Sequence, residues 1–183
     1  MNIWRIDTRQ DENVFLECEE KEWEKLDKFA SGDSMAKEWD STLELRLNKK
    51  KTNIEYSDAP RHAASYFVLS ERALNVFKNY ASGVIECLNF NCSEGDYVIV
   101  NPIEFVDCLD MEKSEYKVFK GDPNTIQSYK KLCFRNESLI GNHLFRICHM
   151  HKSIMACSDE FKTAIEDAQL IGFKFELLCD DVV

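Results

Sequence analysis

Apolar and polar positions in this chain form a pattern that occurs twice: a short apolar strand, Ser and an acid, an amphipathic helix, a glycine and a second strand. The first copy is Tyr66-Phe67-Val68-Leu69, Ser70-Glu71, a helix, Gly83, then Val84 to Phe90. The second is Ile154-Met155-Ala156-Cys157, Ser158-Asp159, a helix, Gly172, then Phe173 to Leu177. Ala73, Leu74, Phe77 and Tyr80 share one face of the first helix, and Phe161, Ala164, Ile165, Ala168 and Ile171 share one face of the second. Each Ser accepts orphan N–H groups of the first helical turn, and the acid favours the positive end of the helix dipole. Each glycine is expected to end its helix in the left-handed conformation. Two copies are too few for a solenoid, so the pattern predicts two equivalent supersecondary units. Every special residue in them has a structural job, so function must be sought outside them.

The remaining pattern is mostly strands. Trp4 and Ile6, then Val14 and Leu16, alternate with polar neighbours, and Leu43, Leu45 and Leu47 alternate with Glu44 and Arg46. Trp23, Leu26 and Phe29 recur at helical or turn spacing, and Lys49 to Asn53 reads as a solvated turn. Asp58-Ala59-Pro60 is the clearest boundary signal, because a residue before proline is turned away from helix. It closes a β-rich N-terminal subregion, 1–57, within a single domain of 183 residues. Val84–Phe90 and Tyr97–Val100 flank Ser93-Glu94-Gly95-Asp96 as a hairpin, and Ile103 to Val106 stays apolar. Met111 to Ser128 reads as a loop holding one short strand at Tyr116–Phe119. Tyr129, Leu132 and Phe134, then Leu144 to Cys148, give two more strands. The expected class is α+β, a mixed, mostly antiparallel sheet carrying two main helices in strand–helix–strand units.

Composition narrows the function classes. An apolar content of 44% in a chain this long supports a core without staples, and 12 Phe with only 6 Gly and 3 Pro argue against disorder. No run approaches the ~20 apolar residues of a membrane span. Met1 to Asp7 reaches acid without a signal-peptide core, so the expected location is the cytoplasm. Seven of the eight cysteines lie in or beside apolar strands, where reduced core thiols are the expectation rather than a disulfide framework. The net charge of −10, from 23 basic and 33 acidic residues, opposes nucleic-acid binding. It favours a basic partner, although solubility alone would also account for it.

Few residues carry candidate chemistry. Cys148-His149-Met150-His151, with Cys157 beyond, is the local group with metal-ligand character. On a strand His149 and His151 would point one way and Cys148 the other, which spoils a closed site, so neither metal nor other cofactor is expected. Glu104, Asp107, Asp110, Glu112 and Glu115 form a carboxylate-rich stretch. Its readings are a strand end whose Asp107 or Asp110 bonds local backbone N–H groups, a docking surface for a basic partner, or an acid–base or Mg²⁺ site. A second acidic stretch, Asp7 to Glu24, holds eight carboxylates, Glu19 and Glu20 among them, against two cations. Ser70 and Ser158 sit in no nucleophile elbow, no glycine-rich phosphate loop exists, and His62 and His143 have no readable partners. The residues do not describe an enzyme.

Phe67-Val68-Leu69-Ser70-Glu71 before a helix, Tyr97-Val98-Ile99-Val100-Asn101 running to Val106-Asp107-Cys108-Leu109-Asp110 with Ser114 beyond, Leu144-Phe145-Arg146-Ile147, Ser158-Asp159-Glu160-Phe161 and Leu170-Ile171-Gly172-Phe173-Lys174-Phe175 carry a resemblance. In that order they resemble the immunity-protein-11 family of bacterial polymorphic-toxin systems. The resemblance covers residues 65–178, and residues 1–57 show no motif to align. It implies a small cytoplasmic protein that binds a cognate toxin domain, occludes its active site and protects the producing cell. The family is not marked by catalytic residues. The charge adds the expectation of a basic, nuclease-like toxin, met by Asp107, Asp110, Glu112, Glu115, Glu19 and Glu20. Neither nucleic acid nor membrane is an expected partner, and the oligomeric state stays open. The alternatives are a metal-assisted hydrolase using His149, His151 and nearby carboxylates, or a structural adaptor.

Overall fold

The computed structural model describes residues 2–8, 14–18, 22, 26, 32–48, 56–61, 66–152 and 154–179. Their strands are β1 (Ile3–Asp7), β2 (Phe15–Glu17), β3 (Glu44–Asn48), β4 (Phe67–Ser70), β5 (Ile85–Asn89), β6 (Asn91–Cys92), β7 (Tyr97–Pro102), β8 (Phe105–Val106), β9 (Glu115–Phe119), β10 (Asp122–Lys131), β11 (Leu144–Ile147), β12 (Met155–Ser158) and β13 (Lys174–Cys179). The helices are α1 (Glu71–Ala81) and α2 (Asp159–Asp167), with one 3-10 turn at Asn136–Ser138. The class is α+β, with mostly antiparallel pairing.

The doubled pattern folds into two units of the same topology. In β4–α1–β5 the two strands flank β7, which runs antiparallel to both. In β12–α2–β13 they flank β1, again antiparallel to both, and β11 and β8 extend that sheet. Each unit is a split βαβ: in the first the central strand follows β5 through a short connection, and in the second it comes from the far N-terminal end of the chain. Ser70 Oγ accepts from the Ala73 amide at 3.3 Å, and Ser158 Oγ from the Phe161 amide at 3.2 Å. Both serines are therefore the helix caps the pattern predicts.

The glycines part company with that prediction. Gly83 is not in the left-handed region, and a Cβ there would meet nothing within 4 Å; α1 ends on Ser82 in right-handed geometry. Past α2 the left-handed position falls to Gln169, at φ 51°. Gly172, at φ 109°, serves a close approach instead. A Cβ there would lie 2.3 Å from Ser57 Oγ and 2.6 Å from the Ala59 carbonyl oxygen. Ile171, predicted on the apolar helix face, lies beyond the helix end and is exposed.

The molecule is layered, and both faces of each unit's sheet are covered. The helices lie between the sheets, where Phe77 of α1 meets Phe161 of α2 edge-on at 4.9 Å. On the outer face of the β4-β7-β5 sheet, Val68, Leu88 and Ile99 pack with Leu16, Leu45 and Leu47 of the β2-β3-β6 sheet. On the outer face of the five-stranded sheet, Ile3, Phe145 and Ala156 pack with Ile126 of β10. Double coverage explains why β4, β11 and β12 are buried at every position.

The β9–β10 hairpin corrects the loop reading of Met111 to Ser128. β10 runs for ten residues, and its register against β9 shifts three times. Pro123, Asn124 and a single buried apolar residue, Ile126, hid it from a periodicity argument. Asp58-Ala59-Pro60 is buried between the two units. The Asp58 carboxylate accepts from Ser70 Oγ at 2.6 Å, Tyr56 OH at 2.7 Å and the Ile171 amide at 3.0 Å, and lies 3.5 Å from Arg72 Nη1. All eight cysteines are free thiols, with Cys108, Cys133 and Cys157 buried and Cys87 exposed. Leu26 is buried, whereas Trp23, Phe29 and the Lys49–Asn53 turn lie outside the described residues.

Candidate functional surface

The carboxylates proposed for docking fall into three situations. Asp107, which follows β8, pairs with Arg135 at 2.9 Å and leaves 63% of its side chain exposed. Asp110 accepts from the amides of Glu112 (3.2 Å) and Lys113 (3.1 Å), and the Lys113 ammonium lies 3.1 Å away. Hydrogen bonding from Lys113 holds the Asp110 carboxyl below its ordinary value. It is a turn-former, in line with the structural reading of that stretch. Glu112 and Glu115 are exposed, while Glu19 and Glu20 lie outside the described residues. The structure thus brings Asp107, Asp110, Glu112 and Glu115 to the stem of the β9–β10 hairpin, with cations already balancing two of the four.

The histidine pair does not form the arrangement expected of it. β11 stops at Ile147, and His149 occupies a turn in the left-handed region at φ 67°, so strand alternation does not relate it to His151. His149 instead fastens the hairpin. Its carbonyl accepts from the Ile126 amide at 2.7 Å, and its Nδ1 lies 3.1 Å from the Asn124 carbonyl oxygen. A carbonyl can only accept, so the proton sits on Nδ1. Among the described residues no group of three or more His, Cys, Asp or Glu is placed to hold a metal ion. His143, which looked partnerless in sequence, meets Ser158 Oγ through Nδ1 at 2.9 Å and stacks edge-on against Tyr80 at 5.3 Å.

One polar constellation escaped the sequence reading entirely. Arg146 of β11 is fully buried, and its Nε donates to the Pro102 carbonyl at 2.7 Å. Its Nη1 donates to the Lys152 carbonyl, and its Nη2 to Asn101 Oδ1 at 3.3 Å. Burial pushes the guanidinium down to about 10, opposed by the Asp33 carboxylate, so it stays charged at neutral pH. The Asn101 amide also donates to the Asp33 carbonyl (2.9 Å) and to Glu86 Oε2 (3.2 Å). Glu86 accepts in addition from Ser34 Oγ at 2.5 Å and the Met35 amide at 2.9 Å. Burial pushes the Glu86 carboxyl up, but these hydrogen bonds outweigh it and hold the group below its ordinary value. Gly32 lies so close to the guanidinium that a Cβ would sit 2.5 Å from Nε. The network joins the segment before β3 to both large sheets, and its donors and acceptors are spent on backbone and on one another. The available signal was a charged residue inside an apolar run, Arg146 in Leu144–Ile147 and Glu86 in Val84–Leu88.

Two concavities are lined by described residues near the elements above. One, of about 620 Å³, lies between β3 and the β5–β7 connection and is bordered by Glu44, Arg46, Asn91, Cys92, Asp96 and Tyr97, among others. The other, of about 250 Å³, is a ladder of alternating charge made by Arg5, Asp7, Lys174 and Glu176. Arg5 lies 3.4 Å from Asp7 and 3.6 Å from Glu176. In the larger one the Cys92 thiol donates to Glu94 Oε2 at 3.4 Å, and burial pushes that thiol's pKa up.

Among the described residues no helix is long and apolar enough to cross a membrane. No curated relative matches the chain. The profile of the Immunity protein family (Imm11) matches residues 4–179, which takes in the N-terminal third that offered no motif of its own. A match over nearly the whole chain settles its kinship: the protein belongs to the Immunity protein family (Imm11), and its role is toxin immunity.

Proposed function

We propose that the protein binds a cognate toxin domain one to one, covers its active site and catalyses nothing itself. The observation that carries this is the family match over residues 4–179. The engagement of Ser70, Ser158 and His149 in caps and in the hairpin clamp supports the non-catalytic part. The toxin acts in the cytoplasm of the producing cell and its kin, and there the protein waits for it. A net charge of −10 draws a basic toxin, such as a nuclease, and raises the encounter rate by ~10- to 10³-fold over an uncharged surface. Exposed Glu112 and Glu115, with the acidic segment holding Glu19 and Glu20, supply that field, while Asp110 shapes the turn behind it and Asp107, also exposed, is paired with Arg135.

The test is co-expression with the C-terminal domain of a candidate toxin, sought in the gene next to this one. Cells making both proteins grow, and cells making the toxic domain alone die. Death in both would overturn the reading. Rescue by the protein without a stable complex on co-purification would overturn the binding mechanism.

A further inference from the structure

The charge of this protein is not evenly spread. Residues 113–131 carry Lys113, Lys117, Lys120, Lys130 and Lys131 against Glu115 and Asp122, a net of +3, which leaves the rest of the chain at −13 within a total of −10. That segment is the β9–β10 hairpin and its entry turn. Cross-strand register sorts its faces, because residues directly opposite point the same way. Tyr116 faces Tyr129 and Val118 faces Ile126, and all but Val118 pack into the core cluster beneath. Lys117 faces Ser128 and Lys131 faces Glu115; Lys117, Lys130 and Lys131 are all exposed, with Lys120 in the turn. The ion pairs near the stem, Asp107–Arg135 and Asp110–Lys113, use none of these four lysines. Phe119, 40% exposed, stands at the tip. Among the described residues β9 pairs only with β10, so its outer edge presents open backbone groups.

We propose that the β9–β10 hairpin is a cationic docking arm that enters an acidic recess on the toxin while the acidic body rests on basic ground around it. The inference builds on the neutralisation reading above and names the part of the surface that reaches the toxin's centre. Charge complementarity selects the occupant. Four exposed lysines of the hairpin, set against Glu115 and Asp122 alone, call for carboxylates, and a −13 body calls for a rim of the opposite sign. A metal-dependent nuclease has that pattern, with carboxylates that hold divalent cations set in a basic groove that holds phosphates. Lysines in that centre take the place of the metal ions, and Phe119 supplies an apolar anchor beside them. Nucleic acid is disfavoured as the arm's own ligand because the body repels phosphate. The His149 clamp on Ile126 and Asn124 holds the arm in place before binding, which lowers the ordering cost.

The test compares the full chain with a variant carrying Lys117→Glu, Lys120→Glu, Lys130→Glu and Lys131→Glu, and with the corresponding four-fold Gln variant. All three are titrated against the catalytically disabled domain of that candidate toxin, at low and high salt. The Glu variant loses affinity by ~100-fold or more and the Gln variant by ~10-fold, in keeping with the size of steering and pairing effects. Hydrogen exchange of β9 amides slows in the wild-type complex. Equal affinity of all three variants, or unchanged β9 exchange, overturns the arm while leaving neutralisation intact. Failure of the wild type to bind the domain overturns both. Two further outcomes would also overturn it: a salt-sensitive dimer of the wild type that the Glu variant abolishes, or single-stranded DNA binding that it abolishes. The lysines are exposed, so all three proteins melt alike; if the Glu variant does not fold, the Gln variant and the exchange measurement decide.

Discussion

Alanine at Gly172 and alanine at Gly83 are the same change at equivalent points of the two units, and the structure predicts opposite results. At Gly172 a Cβ would sit 2.3 Å from Ser57 Oγ and 2.6 Å from the Ala59 carbonyl oxygen, on a residue at φ 109°. The strained backbone costs about 1–3 kcal/mol. Relieving the clash moves Ile171 away from residues 58 and 59. That endangers three hydrogen bonds: Asp58 N to Ile171 O at 2.8 Å, Ala59 N to Ile171 O at 3.1 Å, and Ile171 N to Asp58 Oδ2 at 3.0 Å. At about 0.5–1.5 kcal/mol each, losing one or two brings the expected cost of Gly172→Ala to about 1.5–6 kcal/mol. At Gly83 nothing lies within 4 Å and the backbone is not left-handed, so alanine is neutral or stabilises by about 0.4–1 kcal/mol through the unfolded chain. Urea unfolding followed by circular dichroism measures both. A Gly172→Ala cost under about 1 kcal/mol, or an equal loss at Gly83, would refute the packing argument.

Acid should unfold the protein through Glu86 and Asp159. Burial pushes both carboxyls up, but hydrogen bonds outweigh it and hold them below their ordinary values, those to Asp159 coming from Trp4 Nε1 and the Asn2 amide. Their folded pKa values are depressed, so their stabilisation is complete above the ordinary carboxylate value and disappears as pH falls through the lowered one. Glu86→Gln or Asp159→Asn therefore flattens the acid limb of a melting-temperature profile between pH 7 and pH 3; an unchanged slope would count against these bonds. Arg146→Met leaves the Pro102 and Lys152 carbonyls without their buried donor and should cost about 3–5 kcal/mol in urea unfolding, the range for breaking a buried charged network. His149→Ala forfeits the ring's bond to Asn124 and keeps a left-handed non-glycine backbone, so it should speed amide exchange at Ile126, whereas His149→Asn should speed it less.

Much of this fold could be read locally. Ser70 and Ser158 announce the helices because a cap is a local event, and β4, β11 and β12 stand out because buried strands are continuously apolar. The β5–β7 hairpin was legible from its turn, whereas the pairing of β4 with β7 and the insertion of β1 between β12 and β13 could not be read. Pairs such as Trp4 with Cys157 and Leu69 with Val98 are chosen by tertiary packing, and nothing near them in sequence signals the partner. The equivalence of the two glycines failed for the same reason, since the contact that fixes Gly172 comes from residues 57–59. At the candidate surface, the turn-forming role of Asp110 was legible from its type and spacing. The cations beside Asp107 and Asp110, the His149 clamp and the strand β10 all depend on how the hairpin lies on the sheet.

The most direct test of the account is a titration of the toxic domain's activity with this protein, with substrate binding followed in the same samples. Activity falls linearly to zero at one equivalent, and the inhibited domain no longer binds its substrate. Inactivation by a small fraction of an equivalent, or a fully inhibited complex that still takes up substrate, would contradict it.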